Sequence, residues 1–177
     1  MNIVKHFKTI TYHKLLVMKY CFKVGLYKQG LLHDMSKYSL VEFSAGIKYY
    51  RGYVSPNGVQ KTVEGYSAAW LHHKGRNKHH FEYWIDYGIN EAEGLKGMEM
   101  PVDYVVEMFI DRVCASKNYL KEKYTDESPL NYYENRKHYY VLHDEVRALL
   151  ETLLIKLAND GEYKTFMYIK NNILINT

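Results

Sequence analysis

Apolar side chains recur at helical spacing along most of the chain. The longest such patterns cover residues 2–28, 101–122 and 142–158. In the first of them the stripe consists of Ile3, Phe7, Ile10, Val17, Cys21 and Val24. No segment alternates apolar and polar residues for long enough to predict a strand with any length. The pattern therefore predicts an all-α fold, in which residues 1–177 form a single domain of about six to eight helices.

Glycine and serine residues predict where the first helices begin and end. Gly25 and Gly30 are expected to bracket a turn after the first helix, because glycine readily adopts the conformation that ends a helix. Ser36 or Ser39 is expected to cap the next helix. Glu42 stands three positions after Ser39, which is the spacing of a capping box.

Shorter helices and loops are predicted for the middle of the chain. Residues 51–61 contain a Ser-Pro-Asn-Gly cluster and are predicted to form a loop. A helix is predicted to begin near Thr62 and to stop at Gly75. Asn77 is a favourable N-cap residue and predicts the start of a second short helix, whereas the glycine-containing residues 88–100 predict a loop.

Composition and charge limit the classes of ligand and partner that the chain is expected to bind. The 177 residues include 47% hydrophobic residues and 19 tyrosines, which predicts a sizeable core and a polar-lined interior or cleft. The net charge is only +4, and no basic run or nucleic-acid motif occurs. A small phosphorylated ligand fits this balance, whereas no specific nucleic-acid partner is indicated. The oligomeric state stays open, and an oligomer is compatible with the sequence.

The two cysteines and the hydrophobic pattern of the N-terminus predict a cytoplasmic protein. Cys21 and Cys114 are expected to be buried free thiols in a reducing compartment, and two cysteines exclude a cysteine-based zinc site. The uncharged stretches near the N-terminus are too short for a signal sequence or a membrane span. We therefore expect a cytoplasmic location and no membrane partner.

The adjacent residues His33 and Asp34 are the first candidates for metal chemistry. They offer one nitrogen and one carboxylate oxygen, a mixed set that suits Mn, Fe, Co, Ni, Zn or Mg better than a soft metal. The same dipeptide recurs as His143-Asp144 at the start of the predicted helix 142–158. An acidic residue is favourable at that end of a helix without any metal. We therefore predict no metal at the second pair.

His13 and Asp111 extend the candidate site to two long helices. His13 lies three residues after Ile10 and four before Val17, so it points inward with the apolar stripe. It could equally be a hydrogen-bonded core histidine, and His6 competes for the same role. Asp111 lies in a helix that is apolar on nearly all sides, where a carboxylate needs a metal or a buried ion pair with lysine or arginine.

Four of the nine histidines fall within nine residues, in two doublets. These are His72, His73, His79 and His80. Between the doublets, Arg76 adds a cation that suits phosphate oxygens. A polar histidine-rich loop with adventitious metal binding is the alternative, but the flanking Trp70 and Trp84 favour a packed site.

In order along the chain, these residues resemble the HD-domain superfamily of metal-dependent phosphohydrolases. That superfamily has a histidine, a His-Asp pair, often one or two further histidines, and a distant aspartate. The matching positions here are His13, His33-Asp34, His72 or His73, His79 or His80, and Asp111. Lys37 matches a lysine that is common after the His-Asp pair of the superfamily.

A second resemblance covers most of the chain. Residues 32–37 and 70–84 closely resemble an uncharacterised family of short bacterial and phage proteins. Those proteins share the strings His-Asp-x-Ser-Lys and Trp-Leu-His-His-x-x-Arg-Asn-x-His-His-x-x-Tyr-Trp. This resemblance identifies a family rather than an activity.

The resemblance to the HD-domain superfamily implies a single HD-like metal-binding domain and a phosphohydrolase acting on a small phosphorylated compound, with a nucleotide among the candidates. Such an enzyme acts by attack of metal-bound hydroxide and would hold one or two divalent ions per chain. The ligands expected on this basis are His13, His33, Asp34, Asp111, His72 and His79.

The remaining expected roles concern charge and proton transfer. Lys37 and Arg76 would neutralise the phosphoryl group, and His73 or His80 would protonate the leaving oxygen or hold a second metal. One rival is a di-iron oxygenase or other redox enzyme on the same ligands, which iron content and oxygen uptake would reveal. The other rival is a non-catalytic module that senses a nucleotide or a metal, which would bind its ligand tightly without turnover.

Overall fold

The computed structural model describes residues 2–175, which form eight α-helices and one small β-hairpin. The helices are α1 (Asn2–Val24), α2 (Tyr27–Leu32), α3 (Leu40–Lys48), α4 (Pro56–Glu64), α5 (Ala68–Lys74), α6 (Val102–Leu120), α7 (Ser128–Glu134) and α8 (Asp144–Tyr168). The antiparallel strands are β1 (Ile85–Tyr87) and β2 (Leu95–Gly97). The predicted helical fold class is confirmed, with the hairpin as a small addition.

Helix α6 forms the centre of the molecule. It packs against α1 on one side and against α7 and α8 on the other. Eight of its residues are buried, compared with seven in each of the longer helices α1 and α8. Burial of its apolar residues is the main force that holds the three long helices together. This burial agrees with the sequence of the helix, which is apolar on nearly all sides.

The inward face of α1 carries both core residues and a site residue. Val17 and Cys21 are fully buried in the core, and His13 lies on the same face at 5% exposure. Cys21 and Cys114 are both buried and unbridged, as predicted. None of the helices within residues 2–175 has the length and hydropathy that crossing a membrane requires. The cytoplasmic location stays a prediction.

The region between α3 and α5 differs from the predicted loop followed by one helix. Helix α4 begins at Pro56, inside the predicted loop, because proline suits the first turn of a helix, where its missing N–H costs nothing. Gly65 then ends α4 in a left-handed conformation, with φ of 81°. The helix predicted from Thr62 is therefore two helices, and the second ends before Gly75 as predicted.

Only one of the two glycines after α1 forms a turn. Gly25 has a φ of 92° and ends α1, whereas Gly30 lies inside α2. A Cβ at Gly30 would lie 3.0 Å from the Cβ of Cys21, so this glycine allows α2 to pack closely on α1. Ser39 caps α3 as predicted, through a hydrogen bond from the backbone N–H of Glu42.

The segment after α5 is also different from its prediction. Asn77 does not begin an α-helix, because its side-chain amide donates to Ser36 Oγ and to the backbone oxygen of His73. A single 3₁₀ turn, Phe81–Trp84, follows instead. The hairpin lies partly in the predicted loop 88–100 and was missed because its strands have only three residues each.

Candidate metal centre

A sharp turn after α2 places His33 and Asp34 side by side in the interior. Asp34 adopts a left-handed conformation with φ of 53°, which aspartate tolerates better than most residues. The ammonium of Lys14 fixes this turn by donating to the backbone oxygens of Leu31 and His33, at 2.7 and 2.9 Å. Both His33 and Asp34 are 2% exposed. The turn therefore brings two potential ligands into the core from consecutive positions.

The first candidate ligand group consists of His13, His33, Asp34 and Asp111. One ligand atom from each residue lies within 4.8 Å of every other. Nε2 of His13 is 2.9 Å from Oδ1 of Asp111, and Nε2 of His33 is 3.2 Å from Oδ2 of Asp34. The structure thus brings together residues of α1, of the turn after α2 and of α6, and His33 lies in that turn rather than in a helix. These four side chains have the composition and spacing of a divalent-metal site.

The second candidate ligand group shares Asp34 with the first. It consists of Asp34, His73, His79 and His80, again with ligand atoms within 4.8 Å of one another. Nε2 of His73 and Nε2 of His79 lie 3.2 and 3.5 Å from Oδ1 of Asp34. The other carboxylate oxygen, Oδ2, is the one that faces His33. Asp34 therefore presents one oxygen to each group.

Several ligand atoms of these groups have no hydrogen-bond partner although they are buried. A buried polar atom without a partner costs about 1–3 kcal/mol, so a cluster of them requires an explanation. Nε2 of His13 lies close to Asp111 but not in the alignment of a hydrogen bond. A cation between them would satisfy them together, so the residues fit a metal. Within residues 2–175 these atoms are His13 Nε2, His33 Nε2, Asp34 Oδ1, His79 Nε2 and His80 Nε2.

Two glutamates hold the opposite ring nitrogens of three candidate ligands. Oε1 of Glu107 lies 2.8 Å from Nδ1 of His33 and 3.1 Å from Nδ1 of His79. Oε2 of Glu42 lies 2.7 Å from Nδ1 of His73. A carboxylate on Nδ1 fixes the ring orientation and leaves Nε2 free to bind a metal. Glu107 thus supports one ligand of each group, whereas Glu42 supports the second group only.

The sequence analysis missed Glu107 and gave Glu42 a different role. Glu107 precedes Asp111 by one helical turn, so both carboxylates lie on the same face of α6, and that spacing was an available signal. Glu42 was predicted only as part of a capping box with Ser39. Its backbone N–H does bond Ser39 Oγ, but its carboxylate bonds the histidines of α5.

Charges within the site hold its groups in unusual protonation states. Burial lowers the pKa of His33, but Asp34 and the other carboxylates outweigh this effect and raise it well above its ordinary value. Burial raises the pKa of Asp34, but His33 and Lys37 together hold it well below its ordinary value. Burial and the neighbouring histidines lower the pKa of His80 far below normal. His80 is therefore a neutral imidazole, which is the form that binds metals.

Some predicted residues lie outside both ligand groups. His72 bonds Oε1 of Glu42 through Nδ1 at 2.6 Å and belongs to neither group, whereas its neighbour His73 belongs to the second. Arg76 is exposed and donates to the backbone oxygen of His72. His6, the competitor of His13, is buried but is part of neither group.

A cleft of about 860 Å³ opens onto both ligand groups. This volume is typical of a site for a small molecule. Lys37 lines the cleft, and its Nζ lies 2.5 Å from Oδ2 of Asp34. Of the two ligand groups, the cleft exposes His13, His73, His80 and Asp111, and the further cations along it are Arg112 and Arg136.

The second His-Asp pair, His143-Asp144, lies at the start of α8 and contributes to its cap. His143 is the N-cap residue of α8, and its Nδ1 accepts a hydrogen bond from the backbone N–H of Glu145 at 3.4 Å. Asp144 follows in the first turn of α8. Neither residue belongs to a potential metal-binding group in the described part of the chain. That Asp144 is not needed for metal binding stays a prediction.

Comparison with known proteins gives a family but no activity. Neither the curated proteins nor the solved structures contain a match to this chain. The resemblance to the HD-domain superfamily therefore stays a prediction. The model of DUF5662, described as a family of unknown function, matches residues 2–156. Because this match covers most of the 177 residues, the chain belongs to the family DUF5662.

Proposed function

We propose that this protein is a metal-dependent phosphohydrolase that acts on a small phosphorylated compound. One observation carries the proposal: two ligand groups that share Asp34 open onto a cleft that also presents Lys37. Phosphoryl transfer needs positive charge around the transferring group and an activated water. A cleft with both features, large enough for a small molecule, suits this reaction class.

The ligand residues would hold one or two divalent ions. A bound divalent ion lowers the pKa of a coordinated water and polarises a phosphoryl oxygen. Asp34 would bind with both carboxylate oxygens, and the histidines would bind through the Nε2 atoms that lack other partners. Glu107 and Glu42 would keep those imidazoles oriented.

Lys37 would neutralise the phosphoryl group. Burial opposes the charge on its ammonium, but Asp34 and Asp111 outweigh it and raise the pKa of Lys37, so the group is cationic. A metal on Asp34 would compete for the carboxylate oxygen that now pairs with Lys37. The ammonium would then be available to a phosphoryl oxygen at the same place.

Glu82 is a candidate proton donor for the leaving oxygen. It lines the cleft, and burial raises the pKa of its carboxyl group. A general acid must be protonated to act, so activity should fall as the pH rises through this raised pKa. Glu82→Gln should lower kcat and remove that decline. For His73 and His80 the sequence left proton transfer or a second metal open, and their membership of the second ligand group favours the role of metal ligands.

A phosphate-release screen tests the proposed function. The purified protein would be assayed on a panel of small phosphorylated compounds with added Mn, Co, Ni or Mg. We expect metal-dependent phosphate release, and we expect Lys37→Ala to lose most of it at unchanged metal content. Oxygen uptake by an iron-loaded protein without phosphate release would favour the redox enzyme. Tight ligand binding without turnover in any metal would favour the sensing module.

Matched variants tie the activity to the site. Asp34→Ala removes the shared ligand and should abolish phosphate release. Asp144→Asn alters the aspartate of the second His-Asp pair, which lies outside both ligand groups, and should leave the rate unchanged. Equal activity in Asp34→Ala and the unaltered protein would show that the reaction occurs elsewhere.

A further inference from the structure

Arg112 is a partly buried cation without a carboxylate partner. It follows Asp111 on α6 and lines the cleft. Its Nε atom is buried and has no hydrogen-bond partner, and within residues 2–175 no carboxylate lies within 4.0 Å of its guanidinium. Leaving a buried charge unpaired is costly, so such a group usually has a ligand.

The surroundings of Arg112 hold it by ring contacts rather than by ion pairs. Its guanidinium lies 5.4 Å from the ring centre of Tyr140 and 6.0 Å from that of Tyr133. Farther along the cleft, Arg136 lies 4.0 Å from the ring centre of Tyr132 and also has no carboxylate within ion-pair distance in the described chain. Stacking on aromatic faces orients a guanidinium, and the N–H donors of Arg112 that are not hydrogen-bonded to Tyr140 stay available to an anion.

The acidic residues of the cleft do not compensate these two arginines. Glu42 is engaged by the histidines of α5, and Asp111 is engaged by His13. Glu82 is the remaining carboxyl group in the lining, and neither of its oxygens lies within 4.0 Å of either guanidinium group. The part of the cleft near α7 is therefore a positively charged wall.

We propose that Arg112 and Arg136 form an anion-binding subsite next to the candidate metal centre. This inference rests on the proposed function and narrows the class of substrate. The substrate would carry a second anionic group, a phosphate or a carboxylate, on the part that leaves. The phosphoryl group to be cleaved would face Lys37 and the ligand groups, while Arg112 binds the second anion in a bidentate contact.

Binding of inorganic phosphate tests this subsite without requiring turnover. Phosphate would be titrated into the full-length protein as purified, with its metal content measured, and into the same protein after chelation. Without metal, the ammonium of Lys37 remains paired with Asp34, so the free guanidinium groups are the main sites for phosphate. Thermal unfolding of each sample would verify that the chain is folded.

The variants Arg112→Gln, Arg112→Lys and Arg51→Gln complete the experiment. A charge-assisted contact contributes enough that Arg112→Gln should weaken phosphate binding to the chelated protein about 10- to 100-fold. Arg112→Lys keeps the positive charge, so its affinity for phosphate should lie between those of the unaltered protein and Arg112→Gln. Arg51 is exposed and does not line the cleft, so Arg51→Gln should bind like the unaltered protein.

The proposal is overturned if chelated protein fails to bind phosphate, or if Arg112→Gln binds it as tightly as the unaltered protein does. It is also overturned if the metal-loaded protein binds a single phosphate that Arg112→Gln merely weakens, since Arg112 would then contact the reacting group. Two phosphates per loaded chain, with one lost in Arg112→Gln, support it. Because these are binding measurements, a failed phosphate-release screen would not change their result.

Discussion

Replacing Glu107 by Gln removes a carboxylate that supports both ligand groups at once. Oε1 of Glu107 lies within 3.1 Å of Nδ1 of both His33 and His79. A glutamine has one acceptor oxygen in place of the carboxylate, and its amide nitrogen can only donate. Both imidazoles donate to the same oxygen, and an amide oxygen at that place is a neutral and weaker acceptor than a carboxylate oxygen. Both rings would then be held less firmly with Nε2 directed toward the metal positions.

The size of the effect follows from how many imidazole rings the carboxylate orients. Removing one outer carboxylate typically lowers metal affinity about 10- to 100-fold, which corresponds to about 1.4 to 2.7 kcal/mol. Because Glu107 supports one histidine of each group, we expect Glu107→Gln to weaken binding at both positions. Glu42→Gln should weaken only the group that contains His73.

Competition with a fluorescent chelator would measure the affinity and number of metal ions in each variant. Glu151→Gln is a matched control, because Glu151 accepts a hydrogen bond from the Tyr133 hydroxyl and touches neither ligand group. Its metal affinity should be unchanged. NMR of ¹⁵N-labelled histidines adds a readout independent of metal, since the Nδ1 proton that His33 donates to Glu107 should exchange slowly in the chelated unaltered protein and faster in Glu107→Gln.

Unchanged affinity at both positions in Glu107→Gln would refute the reasoning. So would an equal loss in the Glu151→Gln control, because it would show that the effect is a general loss of stability. A loss at one position only would mean that Glu107 supports a single histidine. In that case the 3.1 Å approach to His79 has no role in metal binding.

Four further substitutions give expected outcomes. His73→Ala should remove the second metal, whereas His72→Ala should retain it, as elemental analysis of the two purified variants would show. Asp144→Asn should leave metal content unchanged, and a loss of metal would mean that the wrong His-Asp pair has been assigned. Gly97→Ala would place a Cβ 2.5 Å from the backbone nitrogen of His143, so it should destabilise the fold by about 1–3 kcal/mol in a denaturant titration.

The long helices could be predicted because their apolar stripes run through many turns. Helix α1 and the part of α8 before its kink at Gly161 each bury one apolar face, and α6 is apolar on nearly all sides, so the helical period is clear in all three. Helix α4 was missed because its first residues, Pro56 to Gly58, are equally typical of a turn. The three-residue strands of the hairpin are too short to show an alternation.

The site residues could be predicted where a helical pattern in the sequence determines the direction of their side chains. The inward position of His13 followed from the apolar stripe of its helix, and that of Asp111 from a helix that is apolar on nearly all sides. Which histidine of the first doublet enters the site depends on the rotation of α5, which places His73 inward at 1% exposure and turns His72 toward Glu42. His80 follows an irregular turn, where no helical period limits its direction.

The residues that orient the metal ligands were harder to predict than the ligands themselves, as Glu107 shows. Its role depends on the approach of α6 to the turn after α2 and to the segment after α5. No local spacing encodes the distance between segments that lie so far apart in sequence. Arg112 is similar, because only its packing on two tyrosines and its lack of a carboxylate partner distinguish it from other surface arginines.

The metal content of the unaltered protein and of Asp34→Ala is the most direct test of the candidate metal centre. Both proteins would be loaded with excess Mn or Zn, freed of weakly bound ions by gel filtration, and analysed for metal per chain. We predict one or two ions per chain in the unaltered protein and none in Asp34→Ala, since Asp34 contributes to both groups. No retained metal in the unaltered protein, or full retention in Asp34→Ala, would contradict the account.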